Sequence, residues 1–583
     1  MPTVSPCEEN PSVVVSKPEI SLPERVTNAV VSALPLFSTA VMTVILCVQL
    51  LQVVIARTLP LRYWVEYITD DAYYYLGVAW NLAHAHVSQF RAPLETNGYQ
   101  PLWLMLLTVL QFILRGDKAL LAQAAILLSG VCALLAYAPS RYSALPRSIA
   151  VVLALTCFPS VFLAGMETAL ILPLVLLLIR SRERNRQFSC LWFAALFYAR
   201  LDALAIFVVF QAYDYFFEKQ RISVLLKRTL WVVLLITPYF VCNYIHFGIA
   251  VPVSGLAKSL GNIPGENLAI LTGYLRDARF PVVVVLLTAF IHWISPRKEY
   301  NPAQRLACLF LVVDLICAAY YTVFSGWPLW EWYSWPIALA TVFSLSGLFD
   351  AIQLRMNSGM PFNRALALMI ILLLTVTYST RRMVKTYVFG SLAKTVKLEN
   401  TSNSFGEENV ENIEHLLSNR PAETLAMGDR AGSLGFWMPE RDRFIHLEGL
   451  VASKPYYEAM KNGTAVNFLE QNGVSLLVVD RERYFVSNLA GTTVYGVAEP
   501  IQGLSAHRGP YLMCFPAQSI LYMHQYGSAT RYIFQFDQMV PCPADIRTQF
   551  ESLLGVYRGI RSFTFPTEVS REAAFGKSVR FTW

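Results

Sequence analysis

Long uncharged apolar runs, separated by short clusters of Arg and Lys, constrain this chain more than any other feature. They fall at roughly 29–56, 119–138, 148–164, 168–180, 188–199, 203–217, 229–247, 280–294, 306–324, 333–350 and 364–380. A straight helical span of the bilayer core takes about 20 apolar residues. Inside lipid the backbone must satisfy its own hydrogen bonds, which leaves helices or closed barrels. Runs of this length, without strict alternation, mean helices. Several fall short of a full span and must borrow flanking residues or sit within a bundle. With 55% hydrophobic and 15% charged residues, a polytopic membrane protein is expected. The net charge of +7 is no nucleic-acid footprint, because the basic residues lie between apolar runs.

Those basic clusters set the topology. The segment 101–115, PLWLMLLTVLQFILR, is the ambiguous one, since counting it as a span moves every later loop to the other side. Treated as interfacial or re-entrant, with the N-terminus cytoplasmic, it leaves Arg180, Arg182, Arg184, Arg186, Lys219, Arg221, Lys227 and Arg228 inside. The facing short loops are then nearly free of Lys and Arg, as the positive-inside rule requires. The expected architecture is an α-helical bundle of about eleven membrane helices followed by a soluble α/β domain. Residues 1–28 form a disordered cytoplasmic tail, 29–385 the membrane domain with an outer loop at 58–118, and 390–583 an extracytoplasmic domain. The first apolar run is too long for a signal peptide and lacks a clear cleavage site, so it is expected to remain as an anchor.

This topology, chosen from Lys and Arg alone, gathers the unusual polar residues on the outer face. Asp70 and Asp71 open an amphipathic stretch, DDAYYYLGVAW. One aspartate at such a start can cap a helix. A second is not needed for that. Paired carboxylates beside a membrane can hold a divalent metal such as Mg or Mn, or share general-base work. Glu167 lies between two apolar runs, where it suits a helix N-terminus or an acidic cavity wall. Arg200 and Asp202 interrupt a hydrophobic hairpin; they read either as an ion pair or as a phosphate clamp. Lys258 follows a Pro-Ser-Gly turn and could supply a counter-charge. Gln100 and Trp103 follow the Asn97-Gly98 turn and stand beside the acidic helix. The aromatic run WPLWEWYSW, Trp327 to Trp335, reads as an interfacial belt or as a wall for a sugar or isoprenoid. Hydrolase, zinc-protease and Walker motifs are absent, and the ten cysteines include no CxxC pair.

The stretch DDAYYYLGVAWNLAHAHVSQFRAPLETNGYQPLW resembles the first outer loop of bacterial GT-C glycosyltransferases that use polyprenyl-phosphate sugars. GMETAL (165–170), YARLDAL (198–204), the run from Asn243 to VPVSGLAKS, and MGDRAGSLGFWM with HLEGLV extend the likeness in order from about residue 60 to 480. More distantly the chain is similar to protein O-mannosyltransferases and lipid A aminoarabinose transferases. The resemblance implies inverting transfer from a lipid-linked sugar to a glycan, lipid or protein acceptor at the outer face of the inner membrane. It implies Asp70 as base, with Asp71 supporting it or sharing a metal, Glu167 as a second cavity acid, and Arg200 and Lys258 as phosphate binders. Two departures stand out: Leu201 where the family more often has proline, and a first loop without its usual glycines. A glycolipid flippase and a non-catalytic assembly subunit are the competing expectations. Cys514 and Cys542, the cysteines of the C-terminal domain, are expected either to pair across 27 intervening residues or to remain as buried thiols.

Overall fold

The computed structural model describes residues 22–142, 147–184, 188–260, 282–286, 302–325, 327, 329–356, 362–388, 410–479, 484–489, 491–499, 511–526 and 529–560. Of the tail expected to be disordered at 1–28, residues 1–21 lie outside the described residues and 22–28 instead begin the helix Leu22–Thr58; most of the expected span at 280–294 also lies outside them.

Among the described residues, four helices are long and apolar enough to cross a membrane: Ala33–Thr58, Lys118–Ala138, Ile222–Phe247 and Pro302–Phe324. The helix Ile222–Phe247 leaves Leu226, Leu230, Trp231, Leu234 and Val241 exposed along its length. In water such a stripe would be a liability, whereas in lipid it costs nothing. Trp335–Met356 and Phe362–Arg382 coincide with two further apolar runs. The segment Pro101–Leu114 forms a helix of 14 residues. At 1.5 Å per residue it reaches about 21 Å, short of the ~30 Å hydrocarbon core. It packs instead against Asp70–His84, the other helix of the first loop.

Chain direction sorts the loops by end. Ile171–Arg184 runs away from Glu167, Ser189–Ala199 returns to Arg200, Leu204–Phe216 runs away again, and Ile222–Phe247 comes back towards Lys258. Glu167, Arg200, Asp202 and Lys258 therefore share one end of the bundle. Arg182, Asp214 and Arg228 share the other.

The C-terminal region carries a five-stranded sheet in the order β2-β1-β3-β8-β7, with β1 (Thr424–Met427), β2 (Arg443–His446), β3 (Leu476–Val479), β7 (Ile520–Tyr526) and β8 (Ala529–Gln535). The first three strands are parallel, and β8 pairs antiparallel to β3. A second antiparallel sheet holds β4 (Tyr484–Leu489), β5 (Thr492–Glu499) and β6 (Tyr511–Pro516). The expected Cys514–Cys542 disulfide is present, with Cα atoms 5.2 Å apart. Apolar packing is continuous between this region and the helices: Trp64 and Tyr73 of the first loop meet Phe436 and Trp437.

Candidate active site

A cleft opens where the first loop, the ends of the helices and the C-terminal region converge, with about 540 Å³ of empty space, open solvent included. Asp71, Tyr74, Tyr75, Gln100, Glu167, Arg200, Lys258, Trp332, Tyr333 and Leu450 are among its lining residues. Residues from positions 71 to 450 meet here, drawn from the first loop, the ends of the helices and the turn after β2.

The two adjacent aspartates separate at once. Successive helical residues point about 100° apart, so only one of them can face a given wall. Asp70 turns towards the short helix Ala431–Trp437: its Oδ2 accepts from Gly432 N–H and its Oδ1 from Ser433 N–H, both at 2.8 Å. Gly432 sits so close that any Cβ would collide with the Asp70 backbone carbonyl. Burial pushes the Asp70 carboxyl up, against the pull of those two amides. Asp70, expected as the base, is thus engaged as a clasp and does not line the cavity.

The other end of the same short helix is held as well. Arg91 donates from Nε to Gly435 O at 2.7 Å, and from Nη2 to Phe436 O at 3.1 Å and Met438 O at 2.5 Å. A carboxylate at its N-terminus and a guanidinium at its C-terminus both complement the helix dipole. Sequence reading missed Arg91, since nothing in FRAPLE announces a partner some 340 residues away. Asn97 adds a third clasp, accepting from Val253 N–H at 2.9 Å and donating to Val251 O at 3.1 Å. At Gly98 a side chain would collide with the Leu450 carbonyl.

Asp71 faces the cavity. Its carboxyl is pushed up to about 6 by burial, with Lys258 pulling down and Glu167 and Asp429 pushing up. Arg200 lies 3% exposed and is already paired with two carboxylates. It donates from Nε and Nη2 to Asp202 at 2.9 and 2.8 Å, and from Nη1 to Glu167 Oε1 at 2.9 Å. Asp202 accepts further from Tyr321 Oη at 2.7 Å and Trp335 Nε1 at 3.3 Å. Of the two sequence readings of Arg200 and Asp202, this is the ion pair. Lys258 differs: Nζ donates to Tyr333 Oη at 2.7 Å and stands over the Trp327 and Tyr333 rings. Among the cavity-lining residues it is the cation not bound to a carboxylate.

Gln100 lines the cavity and accepts from Leu201 N–H at 3.2 Å, which ties the first loop to the Arg200 turn. Trp103 is fully buried in packing and does not reach the cavity. Trp332 and Tyr333 supply an aromatic wall, so part of the WPLWEWYSW run belongs to the site. The pairing of Asp70 and Asp71 as metal ligands does not fit. Both Asp70 oxygens accept backbone amides, and among the described residues no group of three His, Cys, Asp or Glu side chains converges on a metal position.

No protein-family model matches the sequence, and no curated protein matches it either. Solved structures do. The crystal structure of ArnT from Cupriavidus metallidurans bound to undecaprenyl phosphate is 13% identical, with a TM-score of 0.49, over 78% of this chain and 97% of that one. The Archaeoglobus fulgidus oligosaccharyltransferase, in complex with Zn and sulfate, is 11% identical, with a TM-score of 0.36, over 90% of this chain and 84% of that one.

Proposed function

We propose that the chain is a GT-C-like inverting glycosyltransferase that moves a sugar from a polyprenyl-phosphate donor to an acceptor hydroxyl at the outer face of the membrane. The observation that carries this reading is the pairing of Asp71 with Lys258 across one cavity. One is a carboxylate without a bound cation; the other is a cation without a bound carboxylate. Arg200, the other cation of the cavity, is already paired with Glu167 and Asp202.

Asp71 removes the proton from the acceptor hydroxyl as its oxygen attacks the anomeric carbon. The bond from that carbon to the phosphate oxygen breaks on the opposite face, and configuration inverts. Both electrons of that bond leave with the polyprenyl phosphate. Its growing charge faces Lys258 and the Tyr333 hydroxyl. A single available cation suits a phosphate linkage carrying one negative charge. Trp332 and Tyr333 offer flat apolar faces to the sugar. Asp70 serves here as a positioning residue that docks the C-terminal region over the cavity. The Cys514–Cys542 disulfide favours an oxidising compartment for that region, which agrees with an outer location.

The test is release of polyprenyl phosphate. The purified protein is incubated with a panel of undecaprenyl-phosphate hexoses and pentoses, free and in vesicles. Release from at least one donor is expected. Movement of intact donor across vesicles without release would make the chain a flippase instead.

A further inference from the structure

Lys258 sits in the last turn of a short helix, Val253–Ser259, and that helix lacks a cap of its own. Its N-cap position is Pro252, which has no side-chain oxygen to offer the first free amides. Asn97 supplies one from 156 residues away. Its Oδ1 accepts from Val253 N–H at 2.9 Å, and its Nδ2 donates to Val251 O at 3.1 Å. The two bonds bracket Pro252. Asn97 is buried, and both ends of its amide are used.

The turn that carries Asn97 is fixed as well. Thr96 Oγ1 accepts from Gly98 N–H at 3.0 Å, and Asn97 O accepts from Tyr99 N–H at 2.9 Å. On the other side the Lys258 helix rests against the C-terminal region, where a Cβ on Gly449 would stand 3.3 Å from that of Ala257. Gly98, Ser254, Lys258 and Leu450 all line the cleft, so this junction is part of its wall. Lys258 lies five residues beyond Val253, about 8 Å along the helix axis. The direction of the first turn therefore decides where the ammonium arrives beside the Tyr333 hydroxyl.

We propose that Asn97 is a positioning residue that caps the Lys258 helix from outside it and so sets where Lys258 meets the donor phosphate. The inference rests on the glycosyltransferase reading above, through the role given there to Lys258. It differs from ordinary packing, because a displaced Lys258 changes two things at once. The donor phosphate loses its cation, and Asp71 loses the charge that pulls its carboxyl down. The other titratable groups acting on Asp71 or acted on by it are Asp70, Tyr74, Glu167, Asp429 and Arg430. None of them stands on the helix that Asn97 caps.

The experiment uses the full chain as wild type, Asn97→Ala, Lys258→Met and the double variant of these two. A further double variant joins Asn97→Ala to Pro252→Ser, in which the serine offers the helix a cap of its own. Release of polyprenyl phosphate is followed between pH 5 and 8 from a donor the wild-type protein cleaves. Asn97→Ala is expected to raise donor KM about three- to tenfold. It should also move the half-maximal point of the kcat/KM profile up by about half a pH unit or more. In the Lys258→Met background the same substitution should change donor KM by less than about twofold and leave the profile in place. Pro252→Ser should recover most of the lost donor affinity. Should Asn97→Ala not accumulate as folded protein, Asn97→Ser, too short to reach Val251 and Val253 together, takes its place with the same expectations. A KM effect undiminished in the Lys258→Met background, an unmoved pH profile, or no recovery with Pro252→Ser overturns the inference. A wild-type donor KM in Lys258→Met, or cleavage of no donor by the wild-type protein, would instead remove the reading beneath it.

Discussion

The helical bundle buries an ionic cluster at each end, and the two differ in what they leave over. At the end away from the cavity, Asp214 is fully buried and takes Arg182 at 2.6 Å and Arg228 at 2.5 Å. Gln211 accepts from the same Arg228 and donates to Leu225 O and Thr229 Oγ1. This cluster is closed, and no ligand is needed to complete it. At the cavity end Arg200 is paired with Glu167 and Asp202, but one Glu167 oxygen has no hydrogen-bond partner, and Asp71 and Lys258 stand outside the knot. A buried ion pair by itself is weak evidence of function, because structure alone can explain it. A carboxylate facing an ammonium across a cavity, neither hydrogen-bonded to an opposite charge, is different. On the proposed function each keeps its reactivity and a substrate supplies the missing partner.

Three substitutions or conditions separate the two clusters, in falling order of effect. Replacing Asp214 by Ala leaves two buried guanidinium groups without an anion. A loss of about 3–5 kcal/mol of stability is expected, read as a large fall in the midpoint of thermal unfolding in detergent. Protein that remains folded should keep its turnover; a selective loss of turnover would blur the contrast. Lys258→Met should do the reverse. It removes a charged hydrogen-bonding partner worth roughly 1.5–3 kcal/mol to a bound anion, so donor KM should rise about 10- to 100-fold with little change in melting. An unchanged donor KM would detach Lys258 from the phosphate. The smallest effect is on pH. With Asp71 at about 6, its working carboxylate form is lost as pH falls. Turnover should be flat above neutrality and drop about tenfold by pH 5. The stability sign is opposite. A carboxyl raised by burial contributes stability below its ordinary value near 3.8, and that contribution is lost as pH rises through about 6.

Much of the architecture was legible because apolar run length and Lys/Arg placement are local properties of the chain. They predicted helices at the described apolar runs and the gathering of Glu167, Arg200 and Lys258 at one end. The roles within the site were less legible. Asp70 and Asp71 are indistinguishable as letters; which one faces the cavity depends on Gly432 and Ser433, some 360 residues on. Arg200 reads as a phosphate clamp until Glu167 and Asp202 are seen to occupy its donors. Trp103 stands in the right segment, but its position on the helix turns it into packing. Tyr74 was visible only as one of three adjacent tyrosines. His446 opens HLEGLV, a stretch that carries likeness but says nothing of its contact with Tyr74, which comes from the other end of the chain. Propensity and hydropathy fix elements; long-range contacts assign the chemistry.

The central claim is that the cavity carboxylate Asp71, and not its neighbour Asp70, does the work of a base. Its most direct test is a side-by-side turnover measurement of Asp71→Asn and Asp70→Asn with saturating donor, each protein checked for intact melting. Asparagine keeps the size of either side chain and removes its charge. Asp71→Asn should lower turnover by about 100-fold or more while melting as the wild type does. Asp70→Asn should act first on stability, through weakened docking of the Ala431–Trp437 helix, and leave turnover of the folded protein within about tenfold. Near-normal turnover in Asp71→Asn, with the large loss in a stably folded Asp70→Asn, would contradict the account and return the base to Asp70.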